Sequence, residues 1–291
     1  MLFESGLVRI GAFRCHAQHP SFHDTGPIRS CCFVFPRTAV EIQHEHEPAF
    51  VANPNVVTFY NRGQSYRRNA ISPDGDHCDW FGVEPELVCD VIRGIDPRTH
   101  SNPERPFLIT RGWAAPNTYL GQRKLFTRVA ADPGLDPLAV EESIIELLER
   151  VIASTPSKAA PPRSQKLRNG QRDTVRHIEA LLSQHPGKRI TLRSLAYQVG
   201  LSAYHVCRLF RRSTGQKLHE YRLQIRLRTA LANVLDSSTS LTEIALDAGF
   251  SSHSHFTEAF RRQFGVVPSQ LRAGVPSQVR NFLIADDSNL A

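Results

Sequence analysis

The chain has 291 residues, more than the roughly 100–200 residues of a typical domain, so its length predicts two domains. Its 41% hydrophobic content is enough for real cores. The net charge of +7 is uneven: residues 1–157 carry −4 and residues 158–272 carry +12, which predicts a polyanionic partner for the C-terminal part alone.

Targeting and redox signals exclude several classes of protein. The amino terminus lacks the basic segment and cleavage pattern of a signal peptide, and no apolar run approaches the ~20 residues of a membrane helix. The cysteines form no CxxC pair, so we expect free thiols in a reducing compartment rather than a disulfide framework. We therefore expect a cytoplasmic protein with no membrane partner.

Short β-type segments dominate the first hundred residues. Four of them, bounded by Pro, Gly, Asn or Asp, span residues 30–35, 39–43, 56–60 and 78–83. Short strands at near-regular spacing are typical of an all-β barrel or sandwich.

Two helices are predicted after these strands, over residues 117–131 and 141–153. The second reads EESIIELLERVIA and carries a broad apolar stripe from Ile144 to Ile152. Such a stripe must pack on its own domain or on a second copy of the chain, and the sequence leaves both possibilities open.

A linker is predicted over residues 154–166, STPSKAAPPRSQK, which contains three prolines, three serines and no apolar residue larger than alanine. The linker divides the chain into an N-terminal domain over 1–153 and a C-terminal domain over 167–273. Residues 274–291 form a tail.

The most informative stretch is residues 241–271, LTEIALDAGFSSHSHFTEAFRRQFGVVPSQL. One periodic apolar set ends at Gly249 and a second continues to Phe264, which indicates two helices joined by a tight turn. Ser240 and Glu243 form a predicted capping box at the start of the first helix.

The same layout occurs a second time, in residues 192–215, LRSLAYQVGLSAYHVCRLFRRSTG. The separation is 49 to 50 residues, with one residue inserted after Ser251. Phe210-Arg211-Arg212 then aligns with Phe260-Arg261-Arg262, and Gly215 with Gly265. Chance rarely duplicates all of these features together, so the chain uses one structural unit twice.

At these residues the chain resembles the AraC/XylS family of transcription regulators. The resemblance covers roughly residues 170–272 and rests on ALDAGF at 245–250, on SSHSHFTEAFRRQFGVVPSQLR after it, and on a bridging helix over 218–235. It implies a cupin-like N-terminal barrel with two helices, which serves as a sensor or dimerisation domain over 1–153. It also implies a C-terminal all-α double helix-turn-helix domain, which serves as the DNA-binding domain over 167–273. The fold class is therefore multi-domain α and β.

The resemblance also implies a function. It implies a sequence-specific regulator of transcription that activates by contact with RNA polymerase, with repression left open as the alternative. It is also compatible with a small-molecule effector and a homodimer. Double-stranded DNA would be read at two successive major-groove segments ~34 Å apart. The family's base preference does not carry over, because His253 and Glu258 stand where other polar residues are common.

The DNA-contacting residues follow from the docking of helix-turn-helix units, whose second helices enter the major groove by their N-terminal residues. The predicted base-reading residues are Ala203, Tyr204, Cys207, Arg208, His253, Ser254, Thr257 and Glu258. The predicted phosphate-binding residues are Ser202, Arg211, Arg212, Ser251, Arg261 and Arg262, with both serines also predicted as helix caps.

Some of these residues have alternative interpretations. Tyr204 could instead be a partly buried surface aromatic, and Glu258 could be a solvated residue that faces Arg261 or Arg262. The four arginines could also be ordinary solvated surface residues that do not contact DNA.

A rival hypothesis is a cupin-type metalloenzyme, or a metal or redox sensor. His44 and His46 are two apart on a putative strand, and His77 and Cys78 follow, so one metal could be shared. Against this, EIQHEHEP at 41–48 has the character of an exposed charged turn, and no hydrolase, Walker or dinucleotide motif is present. The sequence therefore predicts no catalytic residue, no metal and no cofactor.

Overall fold

The computed structural model describes residues 1–45, 47–98, 102–155 and 169–275. The N-terminal part is rich in β-sheet and the C-terminal part is helical. The strands are β1 Phe3–Glu4, β2 Val8–Cys15, β3 Asp24–Thr25, β4 Cys32–Pro36, β5 Val40–His44, β6 Phe50–Ala52, β7 Val56–Tyr60, β8 Tyr66–Ala70, β9 Asp76–Val83 and β10 Arg111–Trp113. The helices are α1 Pro85–Ile95, α2 Pro116–Ala131, α3 Pro137–Ala153, α4 Asn169–Gln184, α5 Leu192–Gln198, α6 Ala203–Thr214, α7 Leu218–Asp236, α8 Leu241–Asp247, α9 His253–Phe264 and α10 Pro268–Ala273. Within these ranges, no helix is long and apolar enough to span a bilayer.

The strands form two antiparallel sheets. One has the order β1-β2-β9-β4-β7-β10 and the other the order β3-β8-β5-β6. Strands β4 and β7 are buried on both faces, which suits their β-branched and aromatic content. Since no strand pairing between described residues joins the two sheets, the predicted closed cupin-like barrel is not confirmed.

The helices after the sheets agree with the prediction except at one boundary. The predicted helix over 117–131 corresponds to α2, whereas α3 begins at Pro137 rather than at residue 141. The Asp136 side chain accepts a hydrogen bond from the backbone N–H of Leu138, and proline is well tolerated as the first residue of a helix. Helix α3 packs against α1 and α2, which bury Ile144 and Leu148 within the N-terminal part.

Helix α7 connects the two helix-turn-helix units. Tyr221 and Ile225, in its first half, belong to the apolar cluster of the first unit, which also contains Val206 and Phe210. The second half, from Leu227 to Leu235, joins a cluster that contains the core of the second unit. That second cluster also includes side chains of α2 and α3, so the two parts of the chain share one apolar core.

A buried charge network also joins the two parts. Arg123 of α2 donates to Asp79 Oδ2 at 2.5 Å and to Asp236 Oδ1 at 2.6 Å, and Arg37 donates to the other oxygen of Asp236. Burial raises the pKa of Asp79, but the nearby Arg123 and Arg37 outweigh it, and the net pKa lies below its usual value. We refer to Arg37, Asp79, Arg123 and Asp236 as the buried quartet.

Further buried hydrogen bonds also cross between the two parts. Arg228 of α7 donates to the carbonyl oxygens of Pro54, at 2.6 Å, and Ala114. Asn53 Nδ2 donates to the Tyr221 hydroxyl at 2.8 Å and to Ser183 Oγ at 3.0 Å. The predicted division into domains stays a prediction, because the linker from residue 156 onward lies outside the described residues.

Candidate nucleic-acid interface

The first helix-turn-helix unit consists of α5 and α6, joined by a turn at Gly200. This glycine has a φ of 67°, a left-handed conformation that glycine adopts without strain. Ser202 caps α6 by accepting the backbone N–H of His205 at 3.3 Å, which confirms its predicted capping role. Val206 and Phe210 are buried against the rest of the unit, so the opposite face of α6 faces solvent.

The second unit consists of α8 and α9, joined at Gly249. Its φ is 77°, and a Cβ added here would collide with the carbonyl oxygen of Gly187. The predicted capping box of Ser240 and Glu243 is present at the start of α8. The predicted cap of α9 is wrong: Ser252, not Ser251, accepts the backbone N–H of the third helical residue. The inserted residue moves the start of the helix one position further along the chain.

The structure exposes nearly all of the predicted DNA-contacting side chains. The exposed candidates for base reading are Ala203, Tyr204, Cys207, Arg208, His253, Ser254 and Glu258. The exposed candidates for phosphate binding are Ser202, Arg211, Arg212, Ser251, Arg261 and Arg262. Thr257 differs, because it is half-buried and its hydroxyl oxygen is buried without a hydrogen-bond partner. Two solvent-facing surfaces of similar composition therefore stand on α6 and α9.

Tyr204 and Arg208 lie side by side on α6. Tyr204 is 65% exposed, so the alternative of a partly buried aromatic does not apply. Arg208 Nη1 donates to the Tyr204 hydroxyl at 3.4 Å, which restrains the guanidinium on the exposed face. On α9, Glu258 is exposed and forms no ion pair with a described residue.

Two histidines of this surface are absent from the sequence-based candidates. His205 and His255 are both exposed, and each is the third residue of its helix. The Ser202 Oγ lies 2.9 Å from His205 Nδ1, and the Ser251 Oγ lies 3.4 Å from His255 Nδ1. Aligning the two repeats places one histidine on the other, so the sequence did contain a signal for them.

The candidate metal ligands lie in different surroundings. His44 is 1% exposed, stacked on Phe50, Tyr60 and Tyr66, so the prediction of an exposed turn is wrong at this residue. It lies on β5, where alternation turns the ring inward. Burial, with a smaller effect of Arg105, lowers the His44 pKa to about 4.

His77 instead lies close to the buried quartet. Its Nε2 is 3.0 Å from Arg37 Nη1, and burial together with Arg37 lowers its pKa to about 3. Burial raises the pKa of the Cys78 thiol well above its usual value, while His46 lies outside the described residues. Across the described ranges, no three His, Cys, Asp or Glu side chains are grouped as a metal site would require.

A cleft of about 740 Å³ opens beside His44. It is lined by Asp24, Thr25, Gly26, Gln43, His44, Glu45, Ser65, Tyr66 and Arg67. The Nδ1 of His44 contacts the Gln64 side-chain amide, whereas Nε2 is buried without a hydrogen-bond partner. An unpaired buried imidazole nitrogen is costly unless something else satisfies it.

Comparison with known proteins identifies the helical part. A helix-turn-helix domain family matches residues 195–274. The regulatory protein SoxS of Escherichia coli (strain K12) is 31% identical over 98 residues, which cover 34% of this chain and 92% of SoxS. The HTH-type transcriptional activator RhaS of Escherichia fergusonii is 28% identical over 156 residues, which cover 52% of this chain and 53% of RhaS. The match therefore spans about half the length of RhaS.

Among solved structures, ToxT from Vibrio cholerae aligns over 94% of this chain and 100% of its own, with 11% identity and a TM-score of 0.36. The duplicated unit, its exposed second helices and the match along nearly all of SoxS lead to one identification. The chain belongs to the AraC/XylS family of transcription regulators.

Proposed function

We propose that the protein is a sequence-specific DNA-binding regulator of transcription that reads two successive major-groove segments with α6 and α9. The observation that carries this proposal is the duplication of the exposed surface. Both helices bury one apolar face, end in a left-handed glycine and leave an arginine pair exposed. A single chain can thus address two groove segments, where one recognition helix would require a dimer.

Charge supports the same assignment. The arginine pairs lie one to two turns beyond the base-reading residues, where helix-turn-helix proteins contact phosphates. The net charge of +12 over residues 158–272 favours a polyanion at this surface and not at the acidic N-terminal part.

We further propose that the protein activates transcription by contact with RNA polymerase. RhaS, which aligns with half of this chain, is named a transcriptional activator. The N-terminal part, with its two facing sheets, would be a cupin-like sensor domain. A homodimer stays a prediction.

The cleft beside His44 supports a sensor role. An effector with a hydrogen-bonding group that displaces the side chains covering His44 Nε2 would satisfy this atom and pack on the Tyr66 ring. His44→Phe should abolish a response to such an effector and leave basal DNA binding unchanged. A small-molecule screen by thermal shift, with this variant as the control, tests the role. Hits that stabilise the variant as strongly as the wild type would place the effector elsewhere.

DNA binding is tested with the full-length protein on duplexes selected from a random library. The logarithm of the binding constant should fall steeply with the logarithm of salt, by about 0.9 for each phosphate contact. Replacing Arg212 and Arg262 together by alanine should lower that slope by about two contacts. Arg67→Ala, which removes an exposed arginine of the N-terminal part, is the matched control. Salt-insensitive binding, or equal slopes for both variants, would contradict the proposal.

A further inference from the structure

His205 and His255 are equivalent in the two repeats. They are 50 residues apart, each is the third residue of its recognition helix, and both side chains are exposed. The His255 ring contacts a core side chain, Phe250, whereas the His205 ring contacts the exposed Tyr204, so packing on the core does not account for the presence of histidine at both positions.

Hydrogen bonds from serine orient both rings. In the first unit Ser202 Oγ accepts the backbone N–H of His205, so its hydroxyl proton is free to donate to Nδ1 at 2.9 Å. When Nδ1 is the acceptor, the proton of a neutral imidazole resides on Nε2. His205 therefore presents an N–H donor at the exposed side of its ring.

The second unit reaches the same arrangement with two serines. Ser252 Oγ accepts the backbone N–H of His255 at 3.2 Å, and Ser251 Oγ lies 3.4 Å from the ring Nδ1. In the first unit Ser202 makes both contacts. In the second unit, which has one extra residue in the turn, Ser252 caps the helix and Ser251 contacts the ring. Because Ser251 contacts the ring without capping α9, the contact between serine and histidine is not a by-product of helix capping.

Aromatic neighbours restrain the rings further. The His205 ring meets the ring of Tyr204 edge to face at 5.7 Å, and the His255 ring meets that of Phe250 in the same way at 5.4 Å. Fewer accessible ring orientations mean a smaller loss of side-chain entropy on binding.

The position of the histidines on their helices indicates what they meet. Residues seven apart lie on the same side of a helix, so His205 shares a flank with Arg212, and His255 shares one with Arg262. Both arginines are exposed. Each flank therefore carries an N–H donor at one end and a guanidinium two turns further along, and both groups are suited to phosphate oxygens of the DNA backbone.

We propose that His205 and His255 bind DNA by donating Nε2–H to a phosphate oxygen, one at each recognition helix, with Ser202 and Ser251 as positioning residues. This inference rests on the proposed DNA binding and extends it to two side chains and a specific ring nitrogen. The two contacts would anchor the N-terminal ends of α6 and α9 at equivalent places in successive grooves.

The test compares glutamine with asparagine at each position in the full-length protein. A glutamine amide reaches about as far as histidine Nε2, whereas an asparagine amide corresponds to Nδ1. His205→Gln should stay within about threefold of wild-type affinity, whereas His205→Asn and His205→Ala should lose about tenfold, the usual effect of one hydrogen bond to a charged group. His255 should behave in the same way. In ethylation interference, each alanine variant should have one phosphate whose ethylation weakens binding of the wild type but not of the variant.

Ser251 provides a second, independent readout because it does not cap α9. If it acts through the ring, Ser251→Ala should weaken binding in the wild type but add nothing to His255→Ala. Additive losses would show that Ser251 contacts DNA on its own and would overturn its positioning role. His219→Asn, at an exposed histidine of α7, is the matched control, and circular dichroism checks that every variant is folded.

Each outcome has a defined meaning. Wild-type binding with all histidine variants unchanged, or rescue by asparagine rather than glutamine, would overturn this inference and leave the proposed function intact. A wild-type protein that binds no duplex DNA would overturn both.

Discussion

Side chains on the exposed surface of α6 differ in what they offer to DNA. The Arg208 guanidinium can donate two hydrogen bonds to guanine O6 and N7, and its contact with the Tyr204 hydroxyl restrains it near the start of the helix. Arg212 lies one turn further along and is exposed. The first is placed to distinguish bases and the second to bind any phosphate.

This difference can be measured with two alanine variants. Arg208→Ala should cost about 1–3 kcal/mol on the preferred site and relax the preference at one base position, whereas Arg212→Ala should weaken binding to all sequences alike. Library selection followed by sequencing compares the two preference profiles. An unchanged profile for Arg208→Ala would show that α6 docks in another register.

Glu179 of α4 gives a prediction about pH. Burial raises its pKa to about 7, although Arg111 and the Tyr221 hydroxyl, 3.5 Å away, oppose the shift. Because the pKa is about 4.5 in the unfolded chain, the folded protein binds the extra proton between pH 4.5 and 7. The contribution of Glu179 to the free energy of unfolding should therefore fall as pH rises through this window and level off above it.

Glu179→Gln should remove that slope and be more stable than the wild type at pH 8. Urea unfolding at pH 5, 6, 7 and 8 measures it, with Glu146→Gln, an exposed glutamate paired with Arg150, as the control. Parallel curves for the wild type and Glu179→Gln would contradict the raised pKa.

The sequence predicted which residues share a surface better than it predicted their partners. The exposed arginines follow from helical spacing alone, because the apolar residues of α6 and α9 define the opposite face. Whether Ser251 or Ser252 caps α9 depends on the geometry of the turn, because one inserted residue shifts the start of the helix by one position. The burial of His44 depends on the sheet that covers β5. It could not be predicted locally, because the charged residues of EIQHEHEP indicate an exposed turn.

At the scale of elements, helix α3 shows which part of the molecule buries its apolar stripe. Ile144, Leu147, Leu148 and Val151 are buried against α1 and α2, while Leu138 at the start of the helix is 60% exposed. The stripe is therefore satisfied within the N-terminal part and does not require a second copy of the chain.

Leu148→Glu should unfold the N-terminal part. It removes an apolar contact worth about 2–5 kcal/mol and places a carboxylate in the apolar cluster in which Leu148 is fully buried. Leu138→Glu, in the same helix, should stay within about 0.5 kcal/mol of the wild type. Circular dichroism and sedimentation measure both variants. If Leu148→Glu were a folded monomer with weakened binding to paired sites, α3 would be a dimer contact after all.

Several elements that the sequence predicted have periodic or continuous apolar patterns, whereas helices α1 and α4 were not predicted. Helices α2, α7 and α9 have many turns on which apolar residues repeat, and strands β4, β7 and β9 are apolar runs between turn residues. Strands β1 and β3 have two residues each and form only because a neighbouring strand pairs with them. Pairing between distant segments leaves no local pattern, so such strands were missed.

At the scale of the whole molecule, the N-terminal part holds the helix that links the two DNA-binding units. Asp236 ends α7, and both of its carboxylate oxygens are bound by arginines from the sheet-rich part. Arg228, two turns earlier, donates to two carbonyl oxygens of the same part. Sequence could not predict this joint, because its charged residues lie far apart in the chain and resemble ordinary surface charges until they are buried.

Removal of one charge from the buried quartet therefore tests the coupling between the two parts. Asp236→Asn leaves Arg37 and Arg123 with a single carboxylate, and breaking a buried ion pair in this way costs about 3–5 kcal/mol. Asp90→Asn, which breaks the exposed pair with Arg93, should cost at most about 1 kcal/mol.

Charge balance can be restored without restoring the carboxylate. Adding Arg37→Met to Asp236→Asn leaves Arg123 paired with Asp79, so the double variant should recover part of the lost stability even though it lacks one more hydrogen bond. Urea unfolding of the full-length chain measures all four proteins. Equal losses for Asp236→Asn and Asp90→Asn would show that the quartet is open to water and does not hold α7. A double variant less stable than Asp236→Asn would show that the other contacts of Arg37, with Asp79 and with the Phe126 ring at 5.9 Å, outweigh the cost of its unbalanced charge.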